Sequence, residues 1–324
     1  MPARRVRTAK RRRRRSVAGM WEQEKLQAMT NSAKPLPPPT LDDFRKVFRE
    51  YRRVFGRYPN LLRPRRFSEK IQWRKLFDLN SLYSTMADKI AARDFIAERV
   101  GPEWLVPLLW TGESVDDIPF DALEPPYVLK CSHGSTFNVI VRDRASLDRE
   151  KIRATLQDRL ARNFGAYMRE PCYTPIQPRL LAEQLMLEAD GSPPLELKIF
   201  VFDGRARLIH GVFVDKTRAR FDAMHDCDWR PLPWHAFNQR YEGQVPKPAR
   251  LAEFVSLAER LGAGFEHLRV DLYQWQGQPR VGELTLYNLS GLWPFTPDEV
   301  DFILGGWWRL RRPIGRALAA VLLH

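Results

Sequence analysis

Apolar residues follow two rhythms along this chain, one of helical period and one of alternation. Over residues 41–58, Phe44, Val47, Phe48, Tyr51 and Phe55 recur at the spacing of one helix face, and Gly56 ends the run. A second helix is expected over 67–77, with Ser68 as its cap and Ile71, Trp73 and Leu76 available to pack. A third spans 84–100, carries Asp88, Lys89 and Arg93, and stops at Gly101-Pro102. Short strands are expected at 106–110, 127–130, 139–141 and 180–187, with a basic amphipathic helix over 147–163. Alternation then dominates at 195–202 and 207–214, and a helix fills 251–261. Residues 269–291 read as a hairpin. Val270, Leu272 and Tyr273 supply one strand, Gln276 to Pro279 the turn, and Val281, Leu284 and Leu286 the other. Helices ahead of a largely antiparallel C-terminal sheet make an α+β arrangement, not a doubly wound one. The chain divides into a helical region at 34–80, a central region at 81–180 and a C-terminal domain at 181–324.

Composition adds a core and a leader. Hydrophobic residues make up 44% of the 324, including 18 Phe and 10 Trp, which is ample for a large interior. No apolar run reaches the roughly 18–20 residues needed to span a bilayer, and the apolar stretch at 317–323 reads as a terminal helix. The three cysteines, Cys131, Cys172 and Cys227, form no CxxC pair, so reduced thiols and a cytoplasmic setting are expected. Net charge is +14, and residues 1–15 hold nine cations (Arg4, Arg5, Arg7, Lys10 and Arg11 to Arg15) and no acid. Most of the basicity therefore belongs to a tail over 1–33, joined through the stiff Pro35-Leu36-Pro37-Pro38-Pro39 segment. Such a run suits an anionic surface: acidic glycan, nucleic acid or the inner membrane face. A solubilising leader accounts for it equally well. It has no apolar core behind it and so is not read as a secretory signal.

Candidate chemistry collects on the hairpin. Asp271 and Glu283 lie on its two strands, and two carboxylates brought together repel unless a cation sits between them. Oxygen donors with room for water and phosphate suit Mg²⁺. Arg269, two residues before Asp271, shares its face and could hold negative charge developing on a phosphoryl or acyl oxygen. Upstream, an apolar strand delivers Lys130 into Cys131-Ser132-His133-Gly134-Ser135-Thr136, a loop whose backbone N–H groups could surround phosphate. Asp88, Lys89 and Arg93 are expected on one helix face. Glu183, Gln184, Leu185 and Met186 follow a strand and could meet an adenine edge. Lys198 stands in the apolar strand at 195–202, where burial is costly without an anion. Each feature alone also has a plain structural reading: a surface ion pair, a turn or a core strand. His210, His225, His235 and His267 show no metal spacing and read as structural, and Asp226 to Trp229 stays open.

In order, the blocks FSEKIQW, ADKIAARDF, VLKCSHGS, LKIFVFDG, RVDLY and GELT resemble the TupA-like ATP-grasp family, named for teichuronopeptide biosynthesis, over about 67–306. The resemblance implies an ATP-grasp fold with a nucleotide cleft between a central lid and the C-terminal sheet. It implies that Lys89 and Lys130 contact the nucleotide, that the loop at His133, Gly134 and Ser135 closes over the phosphates, and that Glu183 to Met186 hold adenine. Lys198 would face the phosphates, Arg269 would stabilise the transferring phosphoryl group, and Asp271 and Glu283 would bind Mg²⁺. The chain departs from the pattern at Thr285, where many ATP-grasp enzymes have Asn, so Thr285 or Asn288 is the candidate third ligand. It departs again at Thr136, where a second Gly is usual, and at Leu286-Tyr287-Asn288.

The function so implied is an ATP- and Mg-dependent carboxylate–amine ligase in cell-surface polysaccharide synthesis, acting on small-molecule or glycan acids and amines. A sugar kinase using the same cleft and a non-catalytic polyanion-binding protein on a degenerate scaffold are the alternatives.

Overall fold

The computed structural model describes residues 33–214, 220–236 and 238–311. The basic run and the apolar segment at 317–323 lie outside the described residues. Helix α1 (Leu41–Phe55) starts where Thr40 and Asp43 exchange hydrogen bonds. The Asp43 N–H donates to the Thr40 hydroxyl and the Thr40 N–H to the Asp43 carboxylate, while Gly56 at φ 69° closes the other end. Helix α2 (Phe67–Phe77) is buried on nearly every side, unlike the amphipathic α1. Ser68 is not its cap. The Ser68 hydroxyl donates to Asp301 at 2.6 Å, and the Glu69 carboxylate reaches back to accept from the N–H groups of Arg65 and Arg66, just ahead of the helix.

The single helix expected over 84–100 is two, α3 (Leu82–Ala87) and α4 (Ala91–Val100), broken at Asp88-Lys89. The Asp88 carboxylate accepts from the Ile90 N–H at 2.9 Å, and the Lys89 N–H donates to Ser132 O at 3.1 Å. Asp88, Lys89 and Arg93 therefore do not line up on one helix, because tertiary bonds to the 132–134 loop outweigh helix continuity.

A small antiparallel sheet follows, built from β1 (Leu108–Gly112), β2 (Tyr127–Cys131), β3 (Asn138–Val141) and β4 (Leu180–Gln184), in the order β1-β4-β2-β3. Helix α5 (Arg149–Leu160) packs on it through Ile152 and Leu156, and a short turn of helix, α6 (Phe164–Met168), comes next. Strand β4 spans the expected 180/181 division and pairs with both β1 and β2, so that division cuts a strand.

The large sheet runs β11-β10-β5-β6-β7-β8 and is antiparallel along that path. Its strands are β5 (Leu195–Phe202), β6 (Arg205–Val214), β7 (Arg220–His225), β8 (Pro231–Leu232), β10 (His267–Trp275) and β11 (Gln278–Thr285), with β9 (Gln239–Arg240) parallel to β7. Alternation sends Leu197, Ile199 and Val201 of β5 with Val270 and Leu272 of β10 into the core, which α7 (Leu251–Gly262) covers with Phe254, Leu257 and Leu261. The approach is close: a Cβ on Gly262 would stand 2.5 Å from the Val201 side chain. Helix α8 (Glu299–Trp307) packs against α2. Strands β7 to β9 and helices α6 and α8 are elements that the apolar rhythm did not reveal. No described helix is long and apolar enough to cross a membrane.

Core histidines give the fold a pH signature. His267 is fully buried, stacks on Phe202 at 4.5 Å and faces Val201 O at 3.0 Å through Nδ1. Burial holds its imidazole well below the ordinary range, with the Arg74 charge adding to the effect. The unfolded chain therefore binds a proton near pH 6.5 that the folded one refuses, and this site loses stability as pH falls below 6.5. The stability difference between wild type and a His267→Phe protein is expected to shift toward the variant as pH falls from about 6.5 to 5, with a slope that approaches about 1.4 kcal/mol per pH unit at the lower end. Urea unfolding at a series of pH values measures it, and a pH-independent difference would contradict a neutral His267.

Candidate nucleotide cleft

Register lines up one row of polar side chains across the large sheet. Glu283 of β11 pairs with Asp271 of β10, Asp271 with Lys198 of β5, and Lys198 with His210 of β6. Directly opposed residues share a face, so four hydrophilic groups project on the side opposite α7. Arg269, two residues before Asp271, joins them. A bulge between Asp271 and Leu272 leaves Gly282 without a partner and ends the regular pairing beside the carboxylates.

Arg269 organises the row. Its Nε and Nη2 donate to the two Asp271 oxygens at 2.7 Å each, Nη2 also reaches Thr285 Oγ1 at 3.0 Å, and Nη1 donates to Asn288 Oδ1. Lys198 Nζ adds a bond to Asp271 Oδ2 at 3.2 Å and another to Glu196 Oε1 at 2.5 Å. Burial pushes the Asp271 carboxyl up, but the Arg269 and Lys198 charges outweigh it and hold the group below the usual carboxylate range. Asp271 is ionised and buried because it is paired.

Glu283 differs from Asp271. It is half-buried and makes no hydrogen bond or ion pair among the described residues. Its oxygens are hard donors free for a cation, and the Asp271–Glu283 pair offers oxygen ligands, the chemistry that Mg²⁺ prefers. The described residues contain no group of three or more His, Cys, Asp or Glu that could hold a metal. A cation here would take the two carboxylates and complete its shell from water and phosphate. The Thr285 and Asn288 side-chain oxygens accept from Arg269, as both Asp271 oxygens do, so of these four candidate ligands Glu283 is the one without a hydrogen-bond partner among the described residues.

The facing wall comes from the small sheet and α4. Lys89, Arg93, Lys130 and Glu183 line one cavity together with Gly282 and Glu283. Glu183 accepts from Lys130 at 2.6 Å and from Arg93 at 2.8 Å, so its carboxylate braces two cations. Lys89 Nζ donates to Gly134 O at 2.5 Å, tying it to the loop. A neighbouring cavity of about 330 Å³ is lined by Lys130, Gln184, Leu185, Met186, Glu196 and Tyr273. That size and its mixture of apolar walls with a few polar groups fit a planar heterocycle. Lys130 belongs to both cavities, so they adjoin.

The loop behaves differently from expectation at two positions. The His133 ring is buried, lies 3.2 Å from Arg162 O through Nε2 and packs edge-on against Phe137, so its side chain is engaged against the small-sheet core. The backbone of His133, Gly134 and Ser135 and the partly exposed Ser135 hydroxyl remain for a phosphate. Thr136 sits at φ 62°, a left-handed conformation that costs a β-branched residue about 1–3 kcal/mol and that glycine would adopt freely.

Residues 69–308 match the profile of the family described as TupA-like ATPgrasp. The chain belongs to the TupA-like ATP-grasp family. Its fold resembles D-alanine–D-alanine ligase from Bacillus anthracis at 20% identity, covering 64% of this chain and 59% of that one, with a TM-score of 0.35. It also resembles the ATP-grasp ligase PsnB in complex with a phosphomimetic variant of its minimal precursor, Mg and ADP, at 14% identity over 78% of this chain and 66% of that one, with a TM-score of 0.40. A third likeness is to N5-carboxyaminoimidazole synthase from Aspergillus clavatus, at 12% identity over 62% and 44%, with a TM-score of 0.35. At such identities the likeness is one of fold. The chain spans 59% of the length of the B. anthracis ligase. A search of curated protein sequences returns no match.

Within this family member, two polar residues near the cleft, Glu196 and Arg179, have no place in the sequence reading, and two others, Arg93 and His210, take roles there that it does not give them. Glu196 could have been found, because it alternates with Lys198 on one strand face. Arg93 was noticed, but its partner Glu183 lies 90 positions away. Arg179, which donates to Asp88 Oδ2 at 3.1 Å, gave no local signal. His210 read as structural yet stands in the row beside Lys198, with Nε2 2.9 Å from Asp222 Oδ1.

Proposed function

We propose that this chain is an ATP- and Mg-dependent carboxylate–amine ligase that works through an acyl phosphate, with an acceptor drawn from cell-surface polysaccharide assembly. The observation that carries the reading is the opposed pair Asp271 and Glu283, with Glu283 in one cavity with Lys89 and Lys130. Family membership supports ATP as the phosphoryl donor, and the resemblance to teichuronopeptide-type proteins supports the acceptor.

The residues divide the work. Gln184, Leu185 and Met186 with Tyr273 would enclose the adenine, and Lys130 with Lys89 would meet the phosphates from the lid side. Asp271 and Glu283 would hold Mg²⁺, which supplies charge neutralisation at the β- and γ-phosphates. Arg269 and Lys198 provide fixed positive charge on the sheet face, where negative charge grows on the transferring group. A carboxylate oxygen of the acceptor forms a bond to the γ-phosphorus as the bond from that phosphorus to the β,γ-bridging oxygen breaks, releasing ADP. An amine then attacks the acyl carbon, loses a proton to solvent and expels inorganic phosphate. The protein's part is positioning and electrostatics.

A screen of amino acids, uronic acids and amino sugars for Mg-dependent ADP release tests the reading. With the right acid present, hydroxylamine in place of the amine is expected to yield a hydroxamate, the trapped product of an acyl phosphate. A stable phosphate ester instead would assign a kinase, and absence of Mg-ATP binding by calorimetry would remove the enzyme altogether.

A further inference from the structure

A third cavity, of about 380 Å³, opens between α1, α2 and the segment around α6. Five of its ten lining residues are cations: Lys46, Arg49 and Arg53 from α1, Lys75 from α2, and Arg169. The one acid is Glu50, which Arg49 and Arg53 share at 3.2 and 2.9 Å. Both arginine side chains are about 70% exposed, so they form a mobile rim. Deeper, Lys46 Nζ donates to Ala166 O at 2.9 Å, and Lys75 Nζ donates to Ser290 O at 2.8 Å.

Arg169 is the informative residue. It is 5% exposed, and its only ion-pair partner among the described residues is Asp43, whose Oδ1 lies 2.9 Å from Nε. Its Nη2 is buried without a hydrogen-bond partner among the described residues. A guanidinium nitrogen left so costs free energy that an entering acceptor atom would recover. Planar, forked donors are what carboxylates and phosphates fit.

We propose that this cavity binds an oxyanion, a carboxylate or phosphate ester, held by Arg169 within and by Arg49 and Arg53 at the rim. The floor connects to the cleft. Lys75 and Gln72 both donate to Ser290 O, two residues beyond Asn288, which accepts from Arg269. Under the ligase reading, on which this step rests, the ligand is a second anionic group of the acceptor, so the preferred substrate carries at least two negative charges. The anion site itself does not depend on that reading.

Calorimetry on the full chain without nucleotide tests it, titrating inorganic phosphate, glucose 6-phosphate and glucuronate, with glucose as neutral control. At least one anion is expected to bind while glucose does not. Reversing the rim with Arg49→Glu and Arg53→Glu together is expected to weaken that binding about tenfold or more, since two nearby charges change sign. Arg45→Glu, on the same helix but off the cavity, is expected to leave it unchanged. Arg169→Gln is expected to abolish binding, and the exposed rim pair keeps the test valid should that buried variant fold poorly. Binding of the phosphates alone assigns a phosphate ester; binding of glucuronate alone assigns a carboxylate. Binding of none, or binding indifferent to the rim reversal, overturns the proposal. A chain that binds the anion at this rim yet turns over no ATP with any acceptor overturns the ligase reading and leaves the anion site standing.

Discussion

Glu283→Gln is expected to lower Mg-dependent ATP turnover by about a hundredfold to a thousandfold, the usual cost of removing one preorganised charge-stabilising group. It is expected to leave unfolding free energy within about 0.5 kcal/mol of wild type, because the half-buried Glu283 carboxylate makes no hydrogen bond or ion pair among the described residues. Asp271→Asn is expected to lose turnover comparably but also about 3 kcal/mol or more of stability. Its carboxylate is the buried counter-charge of both Arg269 and Lys198, and removing one partner of such a pair leaves uncompensated charge behind. The two acids thus play the same proposed part in metal binding and different parts in folding. Steady-state ADP release and urea unfolding on both variants separate them. Wild-type turnover by Glu283→Gln would end the two-carboxylate account, and an undiminished Asp271→Asn midpoint would deny the Arg269 clamp.

Local pattern carried much of this architecture. The strand at 195–202 is as expected to the residue, and the hairpin differs only in extent, because alternating apolar residues on a half-buried sheet write their register directly into the chain. That same alternation brings Arg269, Asp271 and Lys198 onto one face. What stayed hidden depends on partners far away. Helix 84–100 has good local propensity throughout, and its break at Asp88-Lys89 comes from Ser132 and Gly134, more than 40 positions on. Ser68 looked like a cap, but its hydroxyl goes to Asp301, 233 positions away. His133 drew notice as part of the expected phosphate loop, and packing against Phe137 claimed its ring. Glu183 read as part of a hinge, and its side chain proved to brace Lys130 and Arg93. In each case a short-range signal was present and incomplete. A tertiary contact that no window of sequence contains decided the outcome.

The largest stability effect is expected at Phe67, the first residue of α2. Its ring is 1% exposed and lies 5.0 Å from His267, 5.7 Å from Trp308 and about 6 Å from Phe200, Phe202 and Phe295, ring centre to ring centre. It therefore joins the N-terminal helices, the large sheet and the residue after α8 at one point. Phe67→Ala is expected to cost about 3–5 kcal/mol, through lost burial and the cavity that five neighbouring rings cannot collapse to fill. Against a typical total of about 5–15 kcal/mol, that is a large share. The consequence extends to the cleft, because α2 holds the far end of the hairpin: Arg74 Nη1 donates to Leu286 O at 3.0 Å, and Gln72 and Lys75 fix Ser290. Asn288, which accepts from Arg269, lies between those anchors. Loosening α2 should thus raise the midpoint mobility of that segment and lower turnover below what the unfolded fraction alone explains. Phe67→Leu, which keeps most of the volume, is expected to cost less than about 1.5 kcal/mol and to restore turnover. Urea midpoints with turnover per folded molecule measure both effects. A Phe67→Ala protein as stable as wild type would mean that the aromatic cluster does not bind α2 to the sheet.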